Sequence, residues 1–391
     1  MTSRIFPLIP LLAFGVLAGC ATHDREWHKE SGESHISRTS SPGYLAEQNY
    51  ATASIRERWT LGGEPVELSM LIPQGGHKLP LVIYLPGLGE TADAGLAWRQ
   101  AWAEAGYAVV SLQPVRLGPS LLPAEKARSG DFNLVARAQY APKALSRRIA
   151  LVGEALDELK RRSHESQAAA LAQVDFSRVG VTGFDLGAQT AMAVAGEMYD
   201  VGSALKRPEG VRCVIAFSPY ADFSGPGFEQ RFGPIHMPVL SVTSEDDADP
   251  YGVISTPEIR RAPFQYMPPD NKYLLALYNV PHSLIGGSET PAAGSVHESA
   301  THPASGSDSN DHAGRRHRGK GRRGGGESSS GSEAARPGDI SPAAWTDQLK
   351  LVQSVSTAYL DAMLKEDPEA SRWLVQQAHR WLGESAELIS K

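Results

Sequence analysis

The sequence predicts an α/β protein with a mostly parallel central sheet and helices on both faces. From about residue 50, short apolar runs alternate with helical stretches, and several runs are continuously apolar, as in strands buried on both faces. The chain has 391 residues, of which 41% are hydrophobic, so it is long enough for one large domain with additional segments. Its formal charge of −6 gives no reason to expect binding to nucleic acid.

The first 19 residues have the pattern of a bacterial lipoprotein signal peptide. The apolar run 6–16 is too short to span a bilayer. It is followed by Leu17-Ala18-Gly19-Cys20, which is similar to a lipobox and implies that Cys20 is acylated. The alternative is a plain secretory signal with an incidental cysteine. The residue after Cys20, Ala21, favours the outer membrane under the lipoprotein sorting rule, so we expect a lipid-anchored protein of the cell envelope.

Composition divides the rest of the chain into four segments. Residues 20–49 are polar, which is typical of a tether, and residues 50–285 form the predicted core. In residues 286–339, Val296 is the one large apolar side chain and there is no Phe, Tyr or Trp. Such a Gly/Ser-rich segment cannot offset its ordering entropy by burial, so we expect a disordered insertion. In residues 340–391, apolar residues again recur at helical spacing, and we expect these helices to complete the core domain.

The predicted insertion contains a basic cluster. Residues 315–323 hold six Lys or Arg residues. One interpretation is a patch that meets anionic lipid head groups or surface polysaccharide. The other, which we favour, is a solvated cluster in a tolerated insertion.

The core elements follow from the spacing of apolar residues. The predicted strands are residues 55–61, 66–72, 81–85, 108–112, 178–182, 212–217, 239–243 and 273–279. The predicted helices are residues 92–105 and 143–162, a small-residue helix after Gly187, and two helices that begin near residues 342 and 368. Residues 114–142 show no clear period, which predicts a long loop or a partial lid.

A short glycine motif lies between a predicted strand and the next helix. Gly183 and Gly187 flank Asp185, and such glycines permit a sharp turn that lifts the central residue above the sheet. This is the geometry of a nucleophile elbow, with aspartate where serine is usual. The motif alone is also compatible with a simple turn.

Two further strand ends carry complementary side chains. An acidic loop with Asp246, Asp247 and Asp249 follows the strand that ends near Thr243, and His282 follows the last predicted strand. Nucleophile, acid and histidine then occur in the order found in α/β-hydrolases. Each signal alone also fits a solvated loop or a capped histidine, but the three together, each at the carboxyl end of a strand, favour a catalytic site.

The chain resembles the α/β-hydrolase superfamily from about residue 50 to residue 286 and again in its C-terminal helices. More narrowly, it is similar to the predicted dienelactone hydrolase and platelet-activating-factor acetylhydrolase-like branch. The resemblance rests on residues 85–89, 183–190, 242–251 and 273–282. It implies that Asp185 takes the nucleophile position, that Asp247 is the acid, with Asp246 and Asp249 as rivals, and that His282 is the catalytic histidine.

The resemblance also implies an oxyanion hole made of two backbone N–H groups. One follows the nucleophile and belongs to Leu186. The other lies in the loop after the strand 81–85, where Pro86 has no N–H, so Leu88 is the candidate.

Aspartate at the elbow changes the expected chemistry. A carboxylate can attack an sp³ carbon to give an alkyl ester on Asp185, which water activated by His282 would then hydrolyse. Haloalkane dehalogenases and epoxide hydrolases of this superfamily work in this way, but they usually have a tryptophan after the aspartate and a sizeable cap domain. Here Leu186 follows, and residues 219–238 are too few for a full cap, which weakens that assignment.

Three hypotheses follow for the function. The first is a hydrolase that acts through Asp185 on an ester-like or alkyl small molecule, without a cofactor. The second is a non-catalytic relative that binds a ligand or partner at the envelope, in which two carboxylates beside His282 leave no base. The third, which the spacing does not demand, is a metal site formed by Asp185, Asp247 and His282. The sequence does not reveal the substrate or the oligomeric state.

Overall fold

The computed structural model describes residues 43–121, 132–199, 207–287 and 342–391. The predicted signal peptide, Cys20, most of the predicted tether and residues 288–339 of the predicted insertion lie outside these ranges. The described end of the tether belongs to the packed domain, because the Tyr44 hydroxyl donates to Asp361 Oδ2 at 2.7 Å. Tyr44, within the predicted tether, thus contacts helix residue Asp361 of the C-terminal segment.

A single sheet organises the described chain. Its strands are β1 (Thr52–Leu61), β2 (Glu64–Pro73), β3 (Leu79–Leu85), β4 (Ala108–Pro114), β5 (Val174–Phe184), β6 (Val211–Phe217), β7 (Val239–Ser244), β8 (Lys272–Leu277) and β9 (Ala386–Ser390). Their order is β1-β2-β4-β3-β5-β6-β7-β8-β9. The strands from β3 to β8 pair in parallel, whereas β1–β2, β2–β4 and β8–β9 are antiparallel. The predicted α/β class with a mostly parallel sheet is confirmed.

Helices cover both faces of this sheet. They are α1 (Leu96–Glu104), α2 (Phe132–Tyr140), α3 (Pro142–Ser163), α4 (Leu186–Ala195), α5 (Phe228–Phe232), α6 (Ala262–Tyr266), α7 (His282–Ile285), α8 (Pro342–Leu364), α9 (Pro368–Gln376) and α10 (Ala378–Leu382). Short 3₁₀ turns lie at Val115–Leu117, Pro119–Leu121, Ser166–Ala168, Leu171–Gln173 and Pro257–Arg261. Buried residues of α3 and α4 belong to one hydrophobic core, and those of α1 and α8 belong to a second.

Strand β3 shows why the sheet has two cores. Leu81 and Ile83 belong to the core that contains α3 and α4, whereas Val82 and Tyr84 belong to the core that contains α1 and α8. Successive side chains of a strand point to opposite faces of the sheet. A continuously apolar run is therefore what a strand buried on both faces requires.

Several elements differ from the sequence prediction. Residues 114–142, predicted as a loop or partial lid, contain α2, whose buried residues are Ala136 and Tyr140 and whose Leu134 is exposed. The predicted last helix is divided into α9 and α10, and the additional strand β9 follows it and pairs antiparallel with β8. The partner strand of β9 lies more than a hundred residues earlier, so no local pattern indicates the pairing.

The described part of the chain offers no helix that is both long and apolar enough to cross a bilayer. The segment between β6 and β7, residues 218–238, is described in full and contains the short helix α5.

Candidate active site

Four predicted site residues follow strands that run in the same direction. Leu88 follows β3, Asp185 follows β5, Asp247 follows β7 and His282 follows β8. Because these strands are parallel, their carboxyl ends lie along one edge of the sheet, and so do the residues that follow them. The topology thus places the predicted site residues along one edge.

The turn at Asp185 has an unusual backbone conformation. Asp185 has φ 51° and ψ −109°, a region that L-residues rarely adopt. A Cβ at Gly183 would overlap the backbone of Gly187, and a Cβ at Gly187 would overlap the carbonyl oxygen of Leu85. The two glycines let α4 begin directly against the end of β3, which fixes Asp185 in its strained conformation.

The Asp185 carboxylate is buried and hydrogen-bonded on one side. The side chain of Tyr140 reaches it from the end of α2, and the Tyr140 hydroxyl donates to Asp185 Oδ1 at 2.6 Å. No donor within the described ranges bonds to Oδ2. The two oxygens of Asp185 are therefore inequivalent, and Oδ2 is the one available to a ligand.

His282 and Asp247 form a close pair. His282 Nδ1 lies 2.6 Å from Asp247 Oδ1, which leaves Nε2 for contact with a ligand or water. The ring of Phe184, the residue before Asp185, lies 4.7 Å from the imidazole centroid and brings the pair next to the elbow. An imidazole oriented by a carboxylate in this way can act as a general base.

Asp247 is completely buried, and both of its carboxylate oxygens accept hydrogen bonds. Ser218 donates to Oδ1 at 2.9 Å, and Thr243 donates to Oδ2 at 2.7 Å. Burial alone would raise the pKa of Asp247, but the positive charge of Arg260 and the hydrogen bonds from His282 and Thr243 lower it below its usual range. Asp247 is thus an anion at neutral pH, as the orienting acid of a histidine must be.

The other two acidic candidates occupy different positions. Asp246 is exposed to solvent. Asp249 accepts hydrogen bonds from the backbone N–H groups of Tyr251 at 3.0 Å, Ile254 at 2.7 Å and Val253, so its carboxylate stabilises its own loop. Of the three, Asp247 is the one that the structure places against His282.

Among the described residues, the N–H groups of the two predicted oxyanion donors are not bonded to Asp185. Leu186 begins α4, so its N–H has no acceptor within the helix. The Leu88 N–H has no acceptor among the described residues, while the Leu88 carbonyl accepts a hydrogen bond from the Tyr251 hydroxyl at 2.8 Å. In the described chain, the donor that bonds to the Asp185 carboxylate is Tyr140.

A second acidic side chain, Glu90, lies close to the elbow. Its Oε2 accepts the Gly87 N–H at 2.6 Å, within the loop that carries Leu88. Burial, together with the nearby charge of Asp185, raises the pKa of Glu90 from 4.5 to about 7, although the Gly87 hydrogen bond opposes the shift. Gln113 fixes the same loop by donating to the carbonyls of Gly87 and Glu90 at 3.0 and 2.9 Å.

A cavity of about 290 Å³ adjoins Tyr140. The residues that line it include Tyr199, Tyr220 and Arg137. The Tyr220 ring stacks on Tyr140 with 4.6 Å between centroids. Among the site residues described above, Tyr140 lines this cavity, whereas Asp185 and His282 do not.

The sequence analysis missed Tyr140, Glu90 and Arg260. Glu90 follows the glycine-rich loop directly, and that nearness to Leu88 was a signal that could have been used. Tyr140 and Arg260 have no local signal, because they reach the site through tertiary packing. Among the described residues, no group of three His, Cys, Asp or Glu side chains is arranged to hold a metal ion, so the metal hypothesis has no geometric support.

Comparison with known proteins gives no assignment. The chain matches no protein-family model and no curated protein. Any assignment of function therefore rests on the geometry of the site.

Proposed function

We propose that this chain is a hydrolase of the α/β-hydrolase fold that cleaves an ester-like or alkyl small molecule through Asp185. A strained strand–turn–helix elbow, followed along the chain by an acid and then a histidine, is the arrangement of that fold. The residues after β5, β7 and β8 follow this order here.

One observation carries the proposal. The Asp247–His282 pair, at 2.6 Å, lies beside the strained turn that presents Asp185. Strained backbone persists where the surrounding structure enforces it, and it is concentrated at functional sites. A simple turn would need neither the strain nor an oriented imidazole beside it.

The reaction has two steps. Asp185 Oδ2 attacks the substrate carbon, a carbon–oxygen bond forms, and the leaving group departs with the electron pair of the broken bond. His282 Nε2 then accepts a proton from water as the water oxygen bonds to Cγ of Asp185. The resulting tetrahedral intermediate collapses, the ester bond breaks, and His282 returns the proton to the departing alcohol. The carboxylic acid formed at Asp185 then releases the second proton of the water to solvent, which restores the carboxylate. With an ester-like substrate, the same attack on the acyl carbon gives an anhydride that water hydrolyses.

Trapping of the intermediate tests the proposal. In His282→Gln, attack by Asp185 is retained and hydrolysis is lost, so the protein should accumulate a covalent adduct with styrene oxide or 1-bromobutane, detected by intact mass and mapped to Asp185. The exposed His379, changed to Gln, is the matched control and should accumulate none. In the wild type, a single turnover in ¹⁸O water should place the label in Asp185 first. Absence of an adduct in His282→Gln with both probes contradicts the proposal.

A non-catalytic binding protein is the second candidate. The observation that favours it is that the Asp185 carboxylate is buried and already holds a hydrogen bond from Tyr140. This candidate expects no turnover of esters, lactones, epoxides or haloalkanes by the wild type, together with esterase activity in Asp185→Ser. The hydrolase proposal expects turnover by the wild type and loss of activity in Asp185→Asn.

The location of the protein is a proposal that the sequence alone supports. We infer that Cys20 carries lipid and holds the mature chain at the cell envelope, facing the periplasm or the exterior. Cys20→Ala should then release the mature protein from the membrane fraction. If that variant is processed and stays with membranes, the anchor lies elsewhere.

A further inference from the structure

Tyr140 is held rigidly where its hydroxyl meets Asp185. Its ring is buried and stacks on Tyr220, and its backbone carbonyl accepts a hydrogen bond from Gln189 Nε2 at 2.9 Å. Gln189 is fixed in turn by Arg148, which donates to its Oε1. The 2.6 Å hydrogen bond to Asp185 Oδ1 is therefore set by the packing of α2 against α4.

The two oxygens of Asp185 have different fates in the proposed reaction. Oδ2 has no donor among the described residues, so it is the oxygen that attacks and becomes the ester oxygen. Oδ1 then becomes the carbonyl oxygen of the ester. When water adds to Cγ, the electron pair of this carbonyl moves onto Oδ1, which becomes the oxyanion.

We propose that the Tyr140 hydroxyl is a catalytic hydrogen-bond donor that stabilises this oxyanion during hydrolysis of the Asp185 ester. The inference rests on the proposed function and adds a side chain to the two backbone N–H groups expected from the sequence. A donor already placed on the oxygen where charge develops needs no reorganisation in the transition state. The bond from Tyr140 to Oδ1 strengthens as the negative charge forms and relaxes when the intermediate collapses.

Tyr140 takes no part in the transfer of protons. Tyr140 keeps its proton throughout, because it donates a hydrogen bond and transfers nothing. Burial and the adjacent Asp185 charge raise the pKa of Tyr140 far above its ordinary value, so the hydroxyl remains a donor at any physiological pH. His282 alone carries the proton from water to the leaving alcohol.

Separate measurement of the two half-reactions tests the proposal. Tyr140→Phe and the wild type are mixed with styrene oxide or 1-bromobutane, and the Asp185 ester is followed by intact mass after rapid quenching. Ester formation should not be slowed in Tyr140→Phe, since Oδ2 needs no help from the hydroxyl. Ester hydrolysis should slow by about 10² to 10³-fold, the usual effect of losing one oxyanion donor, so the ester accumulates.

A matched control separates catalysis from packing. Tyr107 is also buried, and its hydroxyl donates to a carboxylate, Asp361 Oδ1, at 2.5 Å, in the core that contains α1 and α8. Tyr107→Phe loses the same kind of bond and should keep wild-type kinetics in both steps. If Tyr140→Phe hydrolyses its ester at the wild-type rate, or loses both steps equally, the Tyr140 proposal is wrong. Failure of His282→Gln to form any ester would instead contradict the proposed function and this inference with it.

Discussion

Arg260 Nε lies 3.3 Å from Asp247 Oδ1, and both side chains are completely buried. The same oxygen also faces His282, so the acid is shared by a fixed cation and the imidazole. Arg260 further donates to the carbonyls of Asp247 and Ser218, each at 2.9 Å. Arg260 therefore stabilises the loop that carries Asp247 by contacting both its backbone and its carboxylate.

Removal of this arginine should weaken folding. Arg260→Met removes the cation beside Asp247 and the donor of three buried carbonyls, those of Asp247, Ser218 and Pro219. Loss of one partner of a buried ion pair typically costs about 3–5 kcal/mol. Urea denaturation measures the change. Arg56→Met is the control, since Arg56 and Asp93 form an exposed pair, and it should change the unfolding free energy by less than about 1 kcal/mol. Equal effects of the two variants would contradict the assigned role of Arg260.

The packing at the elbow predicts that alanine substitution has very different effects on stability at two glycines that both lie in helices. Gly187→Ala should prevent stable folding or lower the unfolding free energy by more than about 4 kcal/mol, because the new Cβ would overlap the Leu85 carbonyl. Gly153 in α3 has open space around it, so Gly153→Ala should be neutral or more stable by up to about 1 kcal/mol. Soluble yield and thermal melting monitored by circular dichroism compare the two. A Gly187→Ala variant that melts like the wild type would show that α4 can move away from β3.

Glu90 predicts a pH dependence of stability. Its pKa is raised from 4.5 to about 7 in the folded state, so its favourable contribution is complete below pH 4.5 and is lost as the pH rises through about 7. Glu90→Gln cannot ionise, and its amide oxygen can still accept the Gly87 N–H. The melting temperature of Glu90→Gln relative to the wild type should therefore rise between pH 5 and pH 8. A difference that stays constant over this range would mean that Glu90 keeps its ordinary pKa.

The basic insertion should be dispensable for stability. Replacement of residues 288–339 by a Gly/Ser linker should leave the melting temperature within a few degrees of the wild type, because the segment has almost no large apolar residues to bury. Differential scanning calorimetry compares the two proteins. A large drop would show that the segment packs against the domain.

Much of the sheet was predictable because a strand buried on both faces gives a continuous apolar run that the local sequence shows. The run at β3 and the hairpin β1–β2 depend on apolar spacing and on Gly62-Gly63, which are properties of neighbouring residues. Strand β9 was not predictable, since five residues at a sheet edge acquire their conformation from β8.

The site was predictable to the extent that chain order and glycine spacing define it. These features indicated Asp185 and His282, but they left Asp246, Asp247 and Asp249 open. The choice among the three depends on burial and on contact with Arg260, which come from tertiary structure. Tyr140 was missed for the same reason, whereas Glu90 follows the loop of Leu88 directly and could have been found from that position.

Strand β9 also determines how the domain would tolerate a break in its backbone. The residues proposed for chemistry all precede residue 288, whereas α8 and β9 cover one core and the free edge of β8 from beyond residue 341. A cut between these points would yield two fragments, neither of which has a complete sheet with both faces covered. The upstream piece would expose an unpaired strand edge that invites aggregation. When the two fragments are co-expressed, pairing of β9 with β8 would allow them to reassemble into an active split protein.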